Sequence, residues 1–267
     1  MKSVSNVPGL LFASIAAFSA LSILSVPSAQ AASAPASTPL IPVAQNLTAP
    51  DLDLNIQYYS KVLTAEGVTR EARYEEKMLR RPGHVWVVRV LPKNVVESHD
   101  DDKTVSKKKV ALNTAPAASA TEHKHFNHVV IPRHVVLENN KVRVEYVDAH
   151  SKDVVAIPPS EYENVNFDGS WDNSFYLLDP KLVQTIPYSA QVSTVAGARW
   201  REREKNGVYQ RVLWDEKKQI PLVIESGDKA ATFYRRVDVK PLATLTRELP
   251  WQNLKGYAQK EYSDFLD

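Results

Sequence analysis

The side chains whose type and spacing come closest to a chemical site are histidines. His123, His125 and His128 lie in the run His-Lys-His-Phe-Asn-His, and His134 follows six residues on, so four of the seven histidines fall within twelve residues. Neutral imidazole is a ligand for zinc, copper or nickel, and on a strand His123 and His125 would share a face and could chelate one ion. The run reads as well as a polar loop edge, because no cysteine and no obvious carboxylate completes the set. A metal-binding role for His123, His125 and His128 is therefore the alternative reading.

The search for catalytic groups finds little. There is no Gly-x-Ser-x-Gly elbow and no glycine-rich phosphate loop, and the absence of cysteine excludes thiol chemistry. His150-Ser151-Lys152-Asp153 holds the letters of a triad, but neighbours along a strand point to opposite faces, and triads are assembled in space. Glu161, Glu163, Asp168 and Asp172 could supply a carboxylate pair, though nothing fixes their spacing. The run from Asp168 to Asn173 lacks the ligand periodicity of a calcium loop and reads as a turn. The expectation is a protein that is not an enzyme and needs no cofactor.

Composition narrows the setting. The 33 basic and 31 acidic residues nearly balance, which argues against a nucleic-acid partner. Residues 1–31 read as an export signal: Lys2 gives a thin positive start, residues 8–26 are apolar or small, and Ala29-Gln30-Ala31 fits a cleavage site. The competing reading is a retained anchor, since the apolar run is near the roughly 18 residues a spanning helix needs. With cleavage near Ala31 the product is a periplasmic protein that is not membrane-integral. Lacking cysteine, it has neither a lipid anchor of that kind nor disulfides, so a core must hold it.

Residues 32–49, rich in Ala, Ser and Pro, read as a flexible leader, and 50–267 as a single domain. The spacing predicts a helix from about Pro50, with Leu52, Ile56, Tyr59 and Leu63 at intervals of 4, 3 and 4 on one face and Gly67 as its stop. Two strands follow around Arg80-Arg81-Pro82-Gly83, the second placing Trp86, Val88 and Val90 opposite Val85, Val87, Arg89 and Leu91. Residues 93–122, with an acidic run at Asp100-Asp101-Asp102, a basic run at Lys107-Lys108-Lys109 and then an Ala/Pro-rich stretch, read as a disordered insertion.

Order returns near His134. Asn139-Asn140 and Asn206-Gly207 are hairpin signals, the second the strongest in the chain. A further strand pair turns at Gly227-Asp228, residues 159–188 read as a short helical lid, and residues 250–267 as one short helix. The class is α+β: an antiparallel sheet with helices on one side. Trp86, Tyr146, Trp200, Trp214 and Phe233 can share one face of that sheet, where they would line a cavity or fill a solid core.

Three segments together resemble the LolA/LolB-like periplasmic lipoprotein carriers, a superfamily that includes RseB-like domains. They are Arg80-Arg81-Pro82-Gly83-His84-Val85-Trp86, the hairpin strand from Asn140 to Val147, and Val212-Leu213-Trp214-Asp215 followed by Ile220-Pro221-Leu222. The resemblance spans about residues 50–240 apart from the insertion. It implies a curved half-barrel covered on one side by helices, with a cavity for an acyl chain, a lipoprotein or another hydrophobic ligand. By that resemblance Trp86, Val88, Tyr146, Trp200 and Trp214 line the cavity, and Arg81 sits near its rim. Apart from the resemblance, a further reading is a structural or signalling partner for an envelope protein, with residues 159–188 as the docking surface. The insertion and the histidine run depart from the family pattern, and residues 159–188 lack a clear match to it.

Overall fold

The computed structural model describes residues 49–92 and 126–265. The export segment, most of the leader, the 93–122 insertion, His123 and His125 lie outside the described residues.

Eleven strands form one sheet in the order β11-β6-β5-β4-β3-β2-β1-β10-β9-β8-β7. Six of them, β1 (Leu52–Leu63), β2 (Thr69–Arg81), β3 (His84–Val90), β4 (Arg133–Glu138), β5 (Lys141–Asp148) and β6 (Asp153–Ile157), run as one antiparallel meander. After the helical segment, β7 (Ala198–Lys205), β8 (Val208–Asp215), β9 (Ile220–Asp228) and β10 (Phe233–Pro241) form a second meander. Its last strand returns to pair with β1, from Leu54↔Pro241 to Val62↔Phe233. The sheet is open and curved, with β7 at one edge and β11 (Ala258–Glu261) at the other.

β1 corrects the expected helix. In the strand Leu52 and Ile56 share the inner face, while Tyr59 and Leu63, an odd number of residues on, fall on the other, so the 4-3-4 stripe is split. Leu54, Tyr58 and Val62 complete a period-2 row, and the stretch is rich in residues that favour strands. Two-sided pairing with β2 and β10 then decides it. The tail is also not one helix. A 3-10 turn at Pro250–Asn253 leads to β11, which pairs in parallel with β6, and a second 3-10 turn closes at Tyr262–Phe265.

The turns follow local chemistry. Pro82-Gly83 joins Arg81 to its partner His84, with Gly83 at φ +72. Asn139 and Asn140, at φ 51 and 60, and Asn206 and Gly207, at φ 53 and 76, make the primed turns that suit the twist of hairpins.

The two faces differ. The inner face packs the larger core: Leu54, Ile56, Met78, Val85, Val135, Val144, Tyr146, Val212, Trp214 and Val237 are buried in one cluster. Val165, Phe167, Phe175, Val183 and Ile186 from the helical segment join it. That segment contains α1 (Trp171–Tyr176), capped by the Ser170 hydroxyl, and α2 (Pro180–Gln184), capped by the Asp179 carboxylate. The outer face holds a smaller cluster of Trp86, Val147 and Val154 under Trp251, Leu254 and Tyr257. None of the helices in the described residues is long and apolar enough to cross a membrane.

Candidate functional site

The strand register sorts the expected site residues onto two faces. Tyr146 and Trp214 are buried on the inner face, in the core shared with the helical segment. Trp86 lies in the outer cluster, with Val88 packed against it. Successive residues of a strand alternate, so Trp86 and Val88 point away from Val85 and Val87, whose row continues through Val135 and Arg133 to Val144 and Tyr146. Trp200 pairs with Leu213 and so faces opposite to Trp214. It borders a shallow cavity of about 370 Å³ at the β7 edge with Tyr188, Val192, Val195 and Arg199. Phe233 does share the inner face, paired with Val62. One face therefore does not present all of these aromatics.

Arg81 is on the outer face. Its Nη2 donates to Asp53 Oδ1 at 2.8 Å and to the Thr246 carbonyl at 3.1 Å, and Nη1 donates to the Leu52 carbonyl. Burial raises the Asp53 carboxyl, but bonds from Thr246 and Arg81 outweigh it and hold the group below its ordinary value. This pair clamps the 242–249 connection to the sheet.

The neighbouring Arg80 takes the inner face, where it has no accessible surface. Its guanidinium donates to carbonyls alone: Pro50 at 2.8 Å, Lys218 at 2.8 Å, Phe175 at 3.3 Å and Gln219 at 3.4 Å. It also stands 4.9 Å from the centre of the Phe175 ring. Burial lowers its pKa to about 10. Arg80 thus ties α1 to β2 and to the β8–β9 turn, fixing the helical segment over one half of the inner face.

The other half is less covered. Along β1 the inner-face row passes from buried Leu52, Leu54 and Ile56 to half-buried Tyr58, Ser60 and Val62. In β10 it passes from buried Val239 and Val237 through exposed Arg235 to half-buried Phe233, and in β8 from buried Trp214, Val212 and Gln210 to exposed Val208. Tyr58 and Tyr74, paired across β1 and β2, stack with ring centres 4.4 Å apart.

A charged group sits where the two halves meet. Glu76 pairs across β2 and β3 with Arg89, at 3.5 Å, and the Arg89 guanidinium lies 3.6 Å above the Tyr74 ring. Arg133, paired with Val87 and Tyr146, adds a second guanidinium. Burial together with the Glu76 charge pushes the Tyr58 hydroxyl well above its ordinary value, and the same causes bring Tyr74 to about 12. Tyr146 is raised by burial. All three phenols are neutral hydrogen-bonding groups at physiological pH. Nothing in the local sequence marks this site, because its members come from five strands and meet only through register.

No family model and no curated protein sequence matches the chain. Among solved structures it is similar to a LolA superfamily protein from Nitrosomonas europaea, at 7% identity and TM-score 0.31 over 77% of this chain and 90% of that one. It is similar to a putative outer membrane lipoprotein-sorting protein domain from Vibrio parahaemolyticus, at 12% identity and TM-score 0.27 over 73% and 87%. A match to PNGF-II, at 9% identity and TM-score 0.32, covers 80% of this chain but only 33% of that one, so the chain spans about a third of its length.

A second polar group lies on the outer face. His84 Nδ1 is 3.1 Å from His134 Nε2, and His134 Nδ1 is 3.4 Å from Glu145 Oε2, with Arg143 also paired to Glu145. Both imidazoles stack near-parallel to the Trp251 indole, at 5.2 and 5.4 Å between ring centres. Burial, then the His134 and Arg143 charges, lowers the His84 pKa. The arrangement orders a carboxylate, two imidazoles and an indole at the seam between the sheet and the 3-10 turn at Pro250–Asn253.

Of the expected metal ligands, only His128 is described. Its Nε2 is 3.5 Å from Asn166 Nδ2, its ring lies beside Phe126 and Tyr146, and burial lowers its pKa. Among the described residues, no three His, Cys, Asp or Glu side chains gather as a metal site would require.

Proposed function

We propose that this chain is a non-catalytic periplasmic binding protein that takes the apolar part of a ligand, such as a lipid or lipoprotein acyl chain, on the less covered half of the inner face. The sheet serves as a half-barrel, and the helical segment held by Arg80 closes the other half. The carrying observation is the burial gradient that runs in the same sense along three strands, from Ile56, Val237 and Val212 in the core to Val62, Phe233 and Val208 at the open end. Apolar and aromatic side chains left half-covered beside a packed core, though interspersed with Ser60, Gln210 and Arg235, form a surface that gains from burial, at about 25 cal/mol per Å² of apolar area removed from water. The neutral tyrosines supply stacking and hydrogen bonds without adding charge. The resemblance of three sequence segments to periplasmic lipoprotein carriers points the same way. An envelope partner that delivers or receives the ligand would meet it at this open end.

Titration with a neutral apolar fluorophore, N-phenyl-1-naphthylamine, tests this reading. Binding to the native protein is expected, and its loss in Val62→Asp and Phe233→Asp, with circular dichroism unchanged. No binding, or binding that both substitutions leave intact, overturns it.

A further inference from the structure

We propose that the ligand is an anionic amphiphile whose carboxylate or phosphate head is held between Arg89 and Arg133, with its chain lying across the Tyr58–Tyr74 stack toward Phe233. This rests on the binding surface proposed above and names the chemistry of its ligand.

The first observation is charge. Glu76 is the carboxylate of this cluster and faces two guanidinium groups, while Tyr58, Tyr74 and Tyr146 are neutral. The cluster therefore carries one positive charge more than it balances.

The second is hydrogen bonding. Nε of Arg89 and Nε of Arg133 are both buried and have no hydrogen-bond partner among the described residues. The Arg89–Glu76 contact, through the same Nε at 3.5 Å, is an ion pair rather than a formed hydrogen bond. Buried donors are rarely left without partners, and each one unmet costs about 1–3 kcal/mol. Two of them on adjoining strands call for an acceptor, and planar guanidinium forks match the oxygens of a carboxylate or phosphate.

The third is placement. Arg89 is on β3 and Arg133 on β4, at the border between the packed and the open halves of the inner face. From β3, the inner face passes over Tyr74 on β2 to Tyr58 on β1, then along β1 past Ser60 to Val62 and its partner Phe233 on β10. The two strand steps from β3 to β1 span about 10 Å at roughly 4.8 Å each, and the four residues from Tyr58 to Val62 about 13 Å more. A head at the arginines and a chain along this path occupy one continuous surface, with the arginines at one end, the tyrosine stack and the Val62–Phe233 pair along it, and Ser60 with exposed Arg235 bordering the chain.

The test compares dodecanoate and dodecyl phosphate with neutral dodecanol, in displacement of the same fluorophore. The native protein should bind both anions more tightly than the alcohol. Arg133→Met and Arg89→Met should each weaken the anions about tenfold to a hundredfold, the loss of a charge-assisted bond, while dodecanol changes by less than threefold. Arg133→Lys should restore part of the anion preference. Inorganic phosphate at the same concentration should not compete. Dodecanol binding as tightly as dodecanoate overturns the head-group site and leaves the apolar surface standing. Failure of all three to bind removes both. Competition by inorganic phosphate equal to that of dodecyl phosphate reassigns the arginines to a small-anion site and likewise overturns the proposal.

Discussion

Arg80 Nη1 donates to the carbonyl oxygen of Phe175 across 3.3 Å, joining residues 95 apart in sequence. The charge has no carboxylate beside it within hydrogen-bond reach. It is held by carbonyl dipoles from Pro50, Phe175, Lys218 and Gln219, and by the Phe175 ring. One side chain therefore connects the entry to β1, the end of α1 and the β8–β9 turn. Replacing it strands several buried acceptors at once, which is a larger loss than a single surface ion pair.

Arg80→Ala is accordingly expected to lower stability by about 3 kcal/mol or more, since each orphaned acceptor costs about 1–3 kcal/mol and water can reach only some of them. Arg80→Lys should recover little, because an ammonium cannot present donors to four separated carbonyls in one plane. Urea unfolding followed by tryptophan fluorescence measures both. A lysine variant as stable as the native protein would show that charge, not the fork, fixes the helical segment.

The two arginines of the inner face should behave differently in the ligand-free protein. Arg89 pairs with Glu76 and covers the Tyr74 ring, so Arg89→Met leaves a carboxylate without its partner and costs about 1–3 kcal/mol. Arg133 keeps an unpartnered buried Nε but also bonds the Tyr146 hydroxyl, so Arg133→Met removes an unmet donor along with one contact and should cost less than Arg89→Met. Chemical denaturation of the two variants side by side gives the comparison. A larger loss for Arg133→Met than for Arg89→Met contradicts the account of that donor.

The outer-face histidines predict a pH effect of known sign. The folded-state pKa of His84 is below the ordinary value of 6.5, so between that value and the lowered one the unfolded chain binds more protons. Stability is then lost as pH falls from about 6.5 through the lowered value, and it stays lost below. Glu145 acts in the same sense at lower pH. Burial raises its carboxyl, but His134 and Arg143 outweigh that and hold it below 4.5, so its contribution disappears as pH falls through the folded-state value. The groups facing His84 are His134, Arg143, Glu145 and Glu138, besides the Trp251 indole. His84→Phe preserves the stack and removes the titration. Urea midpoints at pH 7 and pH 5 should differ less in His84→Phe than in the native protein, and an unchanged difference refutes the assignment.

Much of the sheet was legible because turn chemistry is local. Pro82-Gly83, Asn139-Asn140 and Asn206-Gly207 each set a hairpin from two residues, and the strands beside them follow. β1 was not legible, because Leu52, Ile56, Tyr59 and Leu63 satisfy a helical period, and its deciding partner, β10, lies some 180 residues further on. β11 reads as tail until its parallel pairing with β6 is known. The site was less legible still. Trp86 and Tyr146 look alike as strand aromatics, and only register puts them on opposite faces. Tyr58, Tyr74, Glu76, Arg89 and Arg133 carry no motif and are brought together by three pairings.

Two glycines allow that local turn chemistry to be tested. Gly83 and Gly207 both sit at positive φ, +72 and +76. A side chain in this region costs about 1–2 kcal/mol in either place. Their surroundings differ: a Cβ on Gly83 would come within 3.3 Å of the Leu137 carbonyl oxygen, whereas one on Gly207 meets nothing within 4 Å. That carbonyl belongs to β4, and Leu137 N donates to the Gly83 carbonyl at 2.9 Å, so the Pro82-Gly83 turn is held against its neighbour and cannot easily move away. Gly83→Ala should therefore destabilise more than Gly207→Ala, which carries the backbone cost alone. Gly207→Asn should cost less again, because Asn enters the left-handed region more readily than Ala. Thermal unfolding of the three variants should rank them in that order. Equal losses for Gly83→Ala and Gly207→Ala would mean that the β3–β4 neighbour yields, and that the turn is not pinned by Leu137.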